Sequence, residues 1–475
     1  MINLFLNLLI AQALLGAFDT LYHHEFKVAL PQKINARLEL TIHALRAILY
    51  GIVFVGLAWF EWHGHFVWLL IAIVVVEVGL TLWDFVIEDQ TRHLPGSERI
   101  THTLLAINGG AAFILLALSL PEWYEKQTQL TSVNYGWQSW FLFVAGLGVF
   151  VSGLRDGLAA WQLQRLDLKL NLDLGGTHKR ILISGGTGFI GSALCYELLH
   201  AGHNITLLSR QPIAAAIQYS GKIRAVKSTA ELSDDEQFDS VINLAGAPIV
   251  GLRWSKSRKA TLLASRLNTT RDLLSFVQRA SVRPTVWVQA SAIGFYGTHT
   301  ENPVNEMENA GDGFAAELCE RWETLTNELE AMGIRRVILR FGLVFGRSGG
   351  SLPMMLMSFR FGMGAILGNG NQHMGWIHIE DLLQLIAHVI AAPGVHGKIN
   401  AVTPDSPTYQ QFAKLAGKQL HRPVLLRIPA KPIRLLLGEM ASLFVDGPVI
   451  LPSRLLKMKF RYRFPDLRSA MMDLT

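Results

Sequence analysis

Two stretches of this sequence set an acid and an imidazole one helical turn apart. "ELTIHALRAILYG" carries Glu39 and His43, and "ERITHTLLAINGG" carries Glu98 and His102. Both read Glu, three residues, His, three residues, Ala-Ile, two residues, Gly, the signature of an internal repeat. Groups of the same kind precede each one: Asp19 and His23, followed by His24 and Glu25, and then Glu77, Asp84, Glu88 and Asp89. Spacings of four and seven put Asp19 with His23, Glu39 with His43, and Glu77 with Asp84 and Glu88 on common helix faces. Carboxylates and imidazoles converging from facing helices are how bundles build dinuclear metal sites, and nitrogen and oxygen donors suit a transition metal. The metal candidates are therefore Asp19, His23, Glu39, His43, Asp84, Glu88, Glu98 and His102. A second reading stays open. Groups near helix ends also reach the headgroups, pair with Arg37, Arg46, Arg92 or Arg99, or cap helices. The spacing is Glu-x-x-x-His, not the Glu-x-x-His of ferritin-like bundles.

The elements that carry these groups are apolar. Of the 475 residues, 50% are hydrophobic and only 17% charged, and the first 160 hold nearly all the long apolar runs. Five segments, roughly 2–21, 40–60, 66–87, 101–120 and 137–158, are apolar enough to span a bilayer. Lys27, Lys33 and Arg37 lie between the first two, Arg92 and Arg99 between the third and fourth, and Arg155, Arg165, Lys169, Lys179 and Arg180 at or beyond the end of the fifth. The opposite loops carry one lysine and several tryptophans. The positive-inside rule then places the N-terminus outside an inner (cytoplasmic) membrane and the larger C-terminal part in the cytoplasm. The intramembrane acids and histidines fall towards the cytoplasmic ends of four helices, where ionisable groups are functional candidates by default. The first apolar run lacks a basic flank and a small-residue cleavage site, so it reads as a retained helix rather than a secretory signal. Topology accounts for the net charge of +6, and no nucleic-acid partner is needed. Two cysteines, Cys195 and Cys319, exclude a disulfide framework.

The remainder reads as a soluble α/β domain. A short apolar run, Ile181 to Ser184, gives way to Gly185, Gly186, Thr187, Gly188, Phe189, Ile190 and Gly191, then to a helical pattern through Leu199 and a second apolar run, Ile205 to Leu208. Glycines at a strand-to-helix turn let backbone approach a pyrophosphate seated on the helix N-terminus. After the second strand an NAD enzyme offers an acid to the ribose 2′-hydroxyl. This chain offers Ser209 and Arg210, which suit the 2′-phosphate of NADP(H).

The "GGTGFIG" turn, "VINLAGAPI", "ASAIGFYG", "ILRFGLVFG" and "GWIHIEDL" resemble the extended, epimerase-like branch of the short-chain dehydrogenase/reductases. "SRLNTTRDLL", "GDGFAAELCERWE" and the Met- and Gly-rich "GGSLPMMLMSFRFGMG" are similar to an atypical NAD(P)-dependent subfamily. The closing segment from "RIPAKPIRLLLGEM" onward resembles that subfamily's C-terminal domain of unknown function. The match covers about residues 178 to 475; the membrane part resembles no family. The resemblance implies that Leu244, Ala245 and Gly246 pass close to the adenosine half of the cofactor and that Arg266 reaches phosphate. It also implies that Ser291 takes the place of the catalytic serine, and that Arg340, Trp376, His378 and Asp381 form the crossing into a substrate lobe. Asn268 sits on a helix that carries an asparagine in many relatives.

The catalytic pair of the wider family is missing. Tyr and Lys four apart are expected within "GDGFAAELCERWE", but Phe314 and Leu318 stand there. Tyr296 follows Ser291 closely and is the remaining phenol; Glu301, Glu306, Asp312 and Glu317 are the nearby carboxylates. The expectation is therefore a multi-domain chain: an all-α polytopic membrane bundle (1–160), a linker (161–178), a Rossmann domain (179–400) and a small α+β C-terminal lobe (401–475). Two function classes remain. One is an NADP(H)-dependent oxidoreductase or epimerase-like enzyme acting on a small-molecule or lipophilic substrate, with a metal site at the cytoplasmic mouth of the bundle. The other is a non-catalytic NADP(H)-binding sensor tethered to the lipid bilayer.

Overall fold

The long apolar runs fold as helices because no other structure satisfies every backbone group within an apolar segment. In the computed structural model α1 (Ile2–Phe18) continues into a π-helical segment, Asp19–Lys27. It is followed by α2 (Arg37–Trp59), α3 (Phe66–Thr91), α4 (Gly96–Tyr124) and α5 (Trp137–Arg165). All five are long and apolar enough to cross a membrane. The structure describes every residue except Met1, 28–36, 92–95, 166–169, Thr177, Leu252, 298–301 and Ser348. Of the charged groups named above, Lys33, Arg92, Lys169 and Glu301, and the side chains of His24, Glu25, Lys27 and Arg165, lie outside the described residues.

The chain divides into two compact units, Met1–Leu168 and Lys169–Thr475. In the first, α2 and α5 run antiparallel along a seam of small residues. A Cβ on Gly146 would lie 3.2 Å from the Gly51 carbonyl oxygen, and one on Gly153 would lie 2.9 Å from Ala47 Cβ and 3.0 Å from the Ala44 oxygen. Small residues let two helix backbones approach closely. Polar groups add hydrogen bonds between helices: Asn108 donates to Gln12 at 2.8 Å, Gln138 to Asn7 at 2.8 Å, and Ser139 to the Ala58 carbonyl at 2.6 Å. Leu82, Ile107, Ile114, Leu118, Val144 and Val151 face outward instead. At the end of the bundle away from the repeated acids, β1 (Phe60–Trp62) pairs antiparallel with β2 (Leu130–Ser132).

The second unit is built on a seven-stranded parallel sheet. In chain order its elements begin β3 (Arg180–Ser184), α6 (Phe189–His200), β4 (Asn204–Leu208), α7 (Pro212–Gln218), β5 (Arg224–Val226), β6 (Ser240–Asn243), α8 (Lys256–Arg279) and β7 (Val286–Ala292). They continue through α9 (Phe314–Thr324), α10 (Glu328–Ala331), β8 (Arg335–Phe341), β9 (Leu343–Phe345), α11 (Leu352–Arg360), β10 (Ala365–Leu367), β11 (Trp376–His378), α12 (Ile379–Ala391) and β12 (Gly397–Ala401). The strand order β5-β4-β3-β6-β7-β8-β12 reverses direction between β3 and β6, the doubly wound arrangement whose crevice takes nucleotides. Ser184, Asn243 and Gln289 stand side by side in register on β3, β6 and β7. Ser184 donates to Asn243 at 2.7 Å, and Asn243 donates to Gln289 at 3.0 Å and to Thr270 at 2.8 Å. A polar row thus crosses an otherwise apolar core.

Two details depart from the expected boundaries. Residues 161–165 of the expected linker belong to α5, while Leu172 and Leu174 are buried in the core beneath the sheet. The small lobe also draws on two stretches rather than one. Phe345, Leu352, Leu356, Phe359 and Trp376 pack with Tyr409, Phe412, Met471 and Leu474 in one cluster. Its later elements are α13 (Tyr409–Gln419), β13 (Leu426–Ile428), which pairs parallel with β10, and α14 (Ala430–Leu437). The chain ends with α15 (Ser442–Val445), α16 (Ser453–Lys457) and α17 (Leu467–Leu474).

Candidate functional site

The turn from β3 into α6 is shaped by glycines that nothing larger can replace. Gly185 has φ of +76°, and a Cβ there would lie 2.7 Å from Leu244 backbone. A Cβ on Gly191 would lie 2.7 Å from Gly186 Cα, so this glycine lets α6 start directly against the turn. Gly188 is the N-cap of α6 and supplies no side-chain cap. The first amides of the helix therefore face the crevice, as an anion-binding helix N-terminus requires. Thr187 and Gly188 are exposed, whereas Phe189 and Ile190 are half-buried. The Phe189 ring packs against Gly346, Gly349 and Gly350, which fastens the turn to the segment after β9.

The groups around this turn sit at the carboxyl ends of the neighbouring strands. Leu244, Ala245 and Gly246 follow β6, and a Cβ on Gly246 would lie 2.9 Å from the Arg266 guanidinium carbon. Arg266 is half-buried, lies 5.2 Å from the centroid of the Trp322 ring, and has its pKa lowered by burial. Ser209 and Arg210 follow β4; Ser209 Oγ accepts from the Gln211 amide at 3.2 Å, and Arg210 is exposed. Uncapped amides, close-packed glycines and an exposed arginine after the second strand fit a dinucleotide carrying a 2′-phosphate.

Beyond the turn, the expected catalytic groups form a buried polar lattice. Ser291 Oγ donates to Glu323 at 2.6 Å. Arg340, 0% exposed, donates to both oxygens of Glu323 at 2.9 and 2.8 Å and to the Tyr296 hydroxyl at 2.9 Å. Tyr296 donates in turn to Asn400 at 2.7 Å. The Arg340 guanidinium lies 3.4 Å from the centroid of the Phe295 ring. Burial opposes the charge of Arg340, but hydrogen bonding and attraction to Glu323 outweigh it and raise its pKa. Burial likewise raises the pKa of Tyr296, against the pull of Arg340. Ser291 and Tyr296 are thus brought together through Arg340 and Glu323, with both hydroxyls engaged. Sequence reading missed Glu323 and Asn400; no local motif links residues this far apart.

Phe314 and Leu318 lie on α9, buried against Trp254, Leu262 and Met440. Lys259 of α8, otherwise an ordinary surface charge, lies 4.9 Å from the centroid of the Phe314 ring and pairs with Glu439. Glu439 also accepts from the Phe314 amide at 3.1 Å. A lysine therefore stands beside this position in space, supplied by another helix. The remaining expectations are placed as follows. Asn268 is exposed and accepts from Arg271 at 3.1 Å. Glu306 is buried and accepts backbone amides of Asn400 and Arg454, while Asp312 and Glu317 are exposed. Trp376 stacks on Phe345; His378 caps α12; Asp381 accepts the amides of Arg463 and Phe464 at 2.7 and 3.0 Å. Asp381, and His378 through Asp473 at 3.4 Å, tie the chain's last segment to α12 and β11.

In the helical unit the repeated pairs meet. Ligand atoms of Glu39, His43 and Glu88, and again those of Glu88, Glu98 and His102, lie within 4.8 Å of one another. Glu39, Glu88 and Glu98 are fully buried. Glu88 Oε1 lies 3.9 Å from His43 Nε2, and Glu88 Oε2 lies 3.2 Å from His102 Nδ1. His102 Nε2 faces Asp19 at 3.1 Å. His23 is buried beside Thr101, with 3.5 Å between Nε2 and Oγ1. Asp84 instead pairs with Arg46 at 2.5 Å and with His43 at 3.1 Å, as the competing ion-pair reading expects. Beside His102 a cavity of about 220 Å³ opens, lined also by Gln12, Tyr50, Glu77, Phe85 and Gly109.

Comparison with known proteins adds to this geometry for the second unit. Residues 181–402 match the model of the NAD dependent epimerase/dehydratase family, and residues 428–474 match a domain of unknown function, DUF1731. The epimerase family protein YfhF of Bacillus subtilis is 36% identical over 299 residues, covering 62% of this chain and 97% of that protein. The human epimerase family protein SDR39U1 is 33% identical over 299 residues, 99% of its length. A crystal structure of human SDR39U1 (isoform 2) with NADPH is similar with a TM-score of 0.57 and 33% identity. It covers 62% of this chain and 98% of that one. Both family models fall within the second unit.

Proposed function

The chain belongs to the epimerase family with a C-terminal DUF1731 domain, and from that premise we propose that its second unit binds NADP(H) and acts as an oxidoreductase or epimerase-like enzyme on a small, lipophilic substrate. The observation that carries the reading is the uncapped N-terminus of α6 with Ser209 and Arg210 beyond β4. NADPH, present in the human relative's structure, supplies a hydride. The glycine turn and the amides of α6 hold the pyrophosphate, Arg210 holds the 2′-phosphate, and Arg266 serves a second phosphate. Met354 and Met357, exposed on α11, supply adaptable apolar surface for the substrate. Lys259 with Glu439 is a partly exposed charged pair beside the Phe314 position, and the natural place to look for proton transfer.

The test is titration of the full-length protein with NADPH and NADH, followed by nucleotide fluorescence. NADPH is expected to bind at least about tenfold more tightly, and Arg210→Ala to remove most of that preference, as loss of a charge-assisted contact of about 1.5–3 kcal/mol implies. Equal affinity for both nucleotides, or no binding, overturns the proposal. A sensor without turnover is the second reading. It is favoured by the engaged hydroxyls of Ser291 and Tyr296 and by the apolar Phe314 and Leu318; NADPH that binds but is never consumed with any carbonyl or lipid fraction decides for it.

We place the five helices in an inner membrane with the N-terminus outside and the second unit cytoplasmic. Outward-facing apolar residues support the insertion, and the basic loops support the orientation. Reporter fusions after residue 64 and after residue 475 test it. In the same reading the buried acid and histidine groups of the helical unit take a transition-metal ion.

A further inference from the structure

The two ligand groups in the helical unit share one residue, and that sharing has a chemical meaning. Each Glu-x-x-x-His pair, Glu39 with His43 on α2 and Glu98 with His102 on α4, contributes one carboxylate and one imidazole. Glu88 of α3 belongs to both groups, with Oε1 towards His43 and Oε2 towards His102. A carboxylate whose two oxygens face two different histidines has the disposition of a bridge. Metal–ligand bonds of about 2.0–2.2 Å put neighbouring ligand atoms roughly 3–4.4 Å apart. The separations of 3.9 and 3.2 Å from Glu88 to the two histidines fall within that range.

The surroundings fit the same occupant. Glu39, Glu88 and Glu98 are withdrawn from solvent, and grouped buried carboxylates call for compensating positive charge. Asp19 brings a fourth carboxylate to the cluster, at His102, so oxygen and imidazole donors of the kind transition-metal dications take are gathered in one place. His102 turns Nδ1 to Glu88 and Nε2 to Asp19, the arrangement in which one ring nitrogen ligates and a carboxylate orients the other. Carboxylate and imidazole donors together select iron, manganese or zinc over magnesium or cuprous copper. The cavity of about 220 Å³ bordered by His102 gives a small molecule room beside the cluster.

We infer that the helical unit holds a dinuclear transition-metal centre in which Glu39 and His43 bind one ion, Glu98 and His102 bind the other, and Glu88 bridges them. The inference rests on the reading of this cluster as a metal site and adds its nuclearity and its bridge. It requires nothing of the nucleotide unit.

The experiment is metal analysis of purified full-length protein, first as isolated and then after chelation and titration with Co²⁺ followed by its visible absorption. Wild-type protein is expected to take up about two equivalents, Glu39→Gln and Glu98→Gln about one each, and Glu88→Gln well under one. Each variant is checked for monodispersity and NADPH binding. If Glu88→Gln does not fold, the two outer variants still decide, since each removes a ligand to one ion only. Uptake of one ion by wild type, or full uptake by Glu88→Gln, overturns the shared bridge while leaving a metal site. No uptake by folded wild-type protein overturns the metal reading itself.

Discussion

Replacing Arg340 by methionine separates a structural lattice from a catalytic one. The guanidinium is 0% exposed and makes two hydrogen bonds to Glu323 and one to Tyr296, over the face of Phe295. Methionine fills much of the volume but leaves the Glu323 carboxylate in an apolar setting, where the Ser291 hydroxyl still donates to it. Orphaning one member of a buried ion pair costs about 3–5 kcal/mol. With an m-value of about 3 kcal/mol/M for a unit of this size, the urea midpoint of the second unit should fall by about 1–1.7 M. The double variant Arg340→Met/Glu323→Leu removes the stranded charge together with its partner. It should recover at least about 1.5 kcal/mol relative to the single variant, because a buried pair and an apolar replacement of similar shape are nearly equivalent. The assay is urea unfolding of the full-length protein in detergent, followed by tryptophan fluorescence, with NADPH affinity measured below the transition. That affinity should change by less than about threefold, since Arg340 lies away from the glycine turn. A loss below about 1 kcal/mol in the single variant, or simple additivity in the double, would refute the argument.

Three further outcomes follow from the geometry. Gly191→Ala sets a methyl against the carbonyl of Gly185 and the Cα of Gly186; NADPH binding should be lost at nucleotide concentrations that saturate wild type, and retained affinity would show that the turn can open. Gly153→Leu wedges α2 from α5 at the contact with Ala44 and Ala47; the helical unit should become protease-sensitive in detergent while NADPH affinity stays unchanged. His203 is buried, accepts the Lys179 amide, and has its pKa lowered first by burial and then by His178 and Lys179. Its neutral form favours the folded state, so its contribution is fully present above about pH 6.5 and is lost as pH falls through the lower native value. His203→Gln should flatten the stability profile below pH 6.5; an unchanged slope would assign the effect elsewhere.

The parts of this molecule that were readable from the sequence are those with local causes. The strand Arg180–Ser184, the glycine turn and the helix from Phe189 follow one another in the chain, and each residue's reason lies within a dozen positions. The five long helices declare themselves by length and apolarity. The acid–histidine repeat was visible because identical spacing recurs on two helices. The Ser291–Glu323–Arg340–Asn400 lattice was not, since it is assembled from β7, α9, β8 and β12 and exists only once the sheet has formed. Lys259 beside Phe314 was hidden for the same reason: the family's spacing sets the lysine on α9 itself, whereas the one that arrives comes from α8. The π-helical stretch at Asp19–Lys27 leaves no mark in a pattern of regular helical spacing.

The row formed by Ser184, Asn243 and Gln289 bears on how the sheet is spelled as well as how it is held. Apart from Arg180, Ser240 and Ser291 near their ends, β3, β6 and β7 are otherwise runs of Val, Ile, Leu, Ala and Trp, and such apolar runs slide past one another with little change in contact. A slip of two residues keeps every side chain on its own face, so apolar contacts alone penalise it weakly. The same slip moves Asn243 away from both neighbours and leaves buried amides facing aliphatic groups, at about 1–3 kcal/mol for each unsatisfied group. Three polar residues thus act as an alignment mark between strands, rejecting near-miss pairings during folding. The crevice that receives the nucleotide is correctly aligned because the strands that flank it can be matched in only one way.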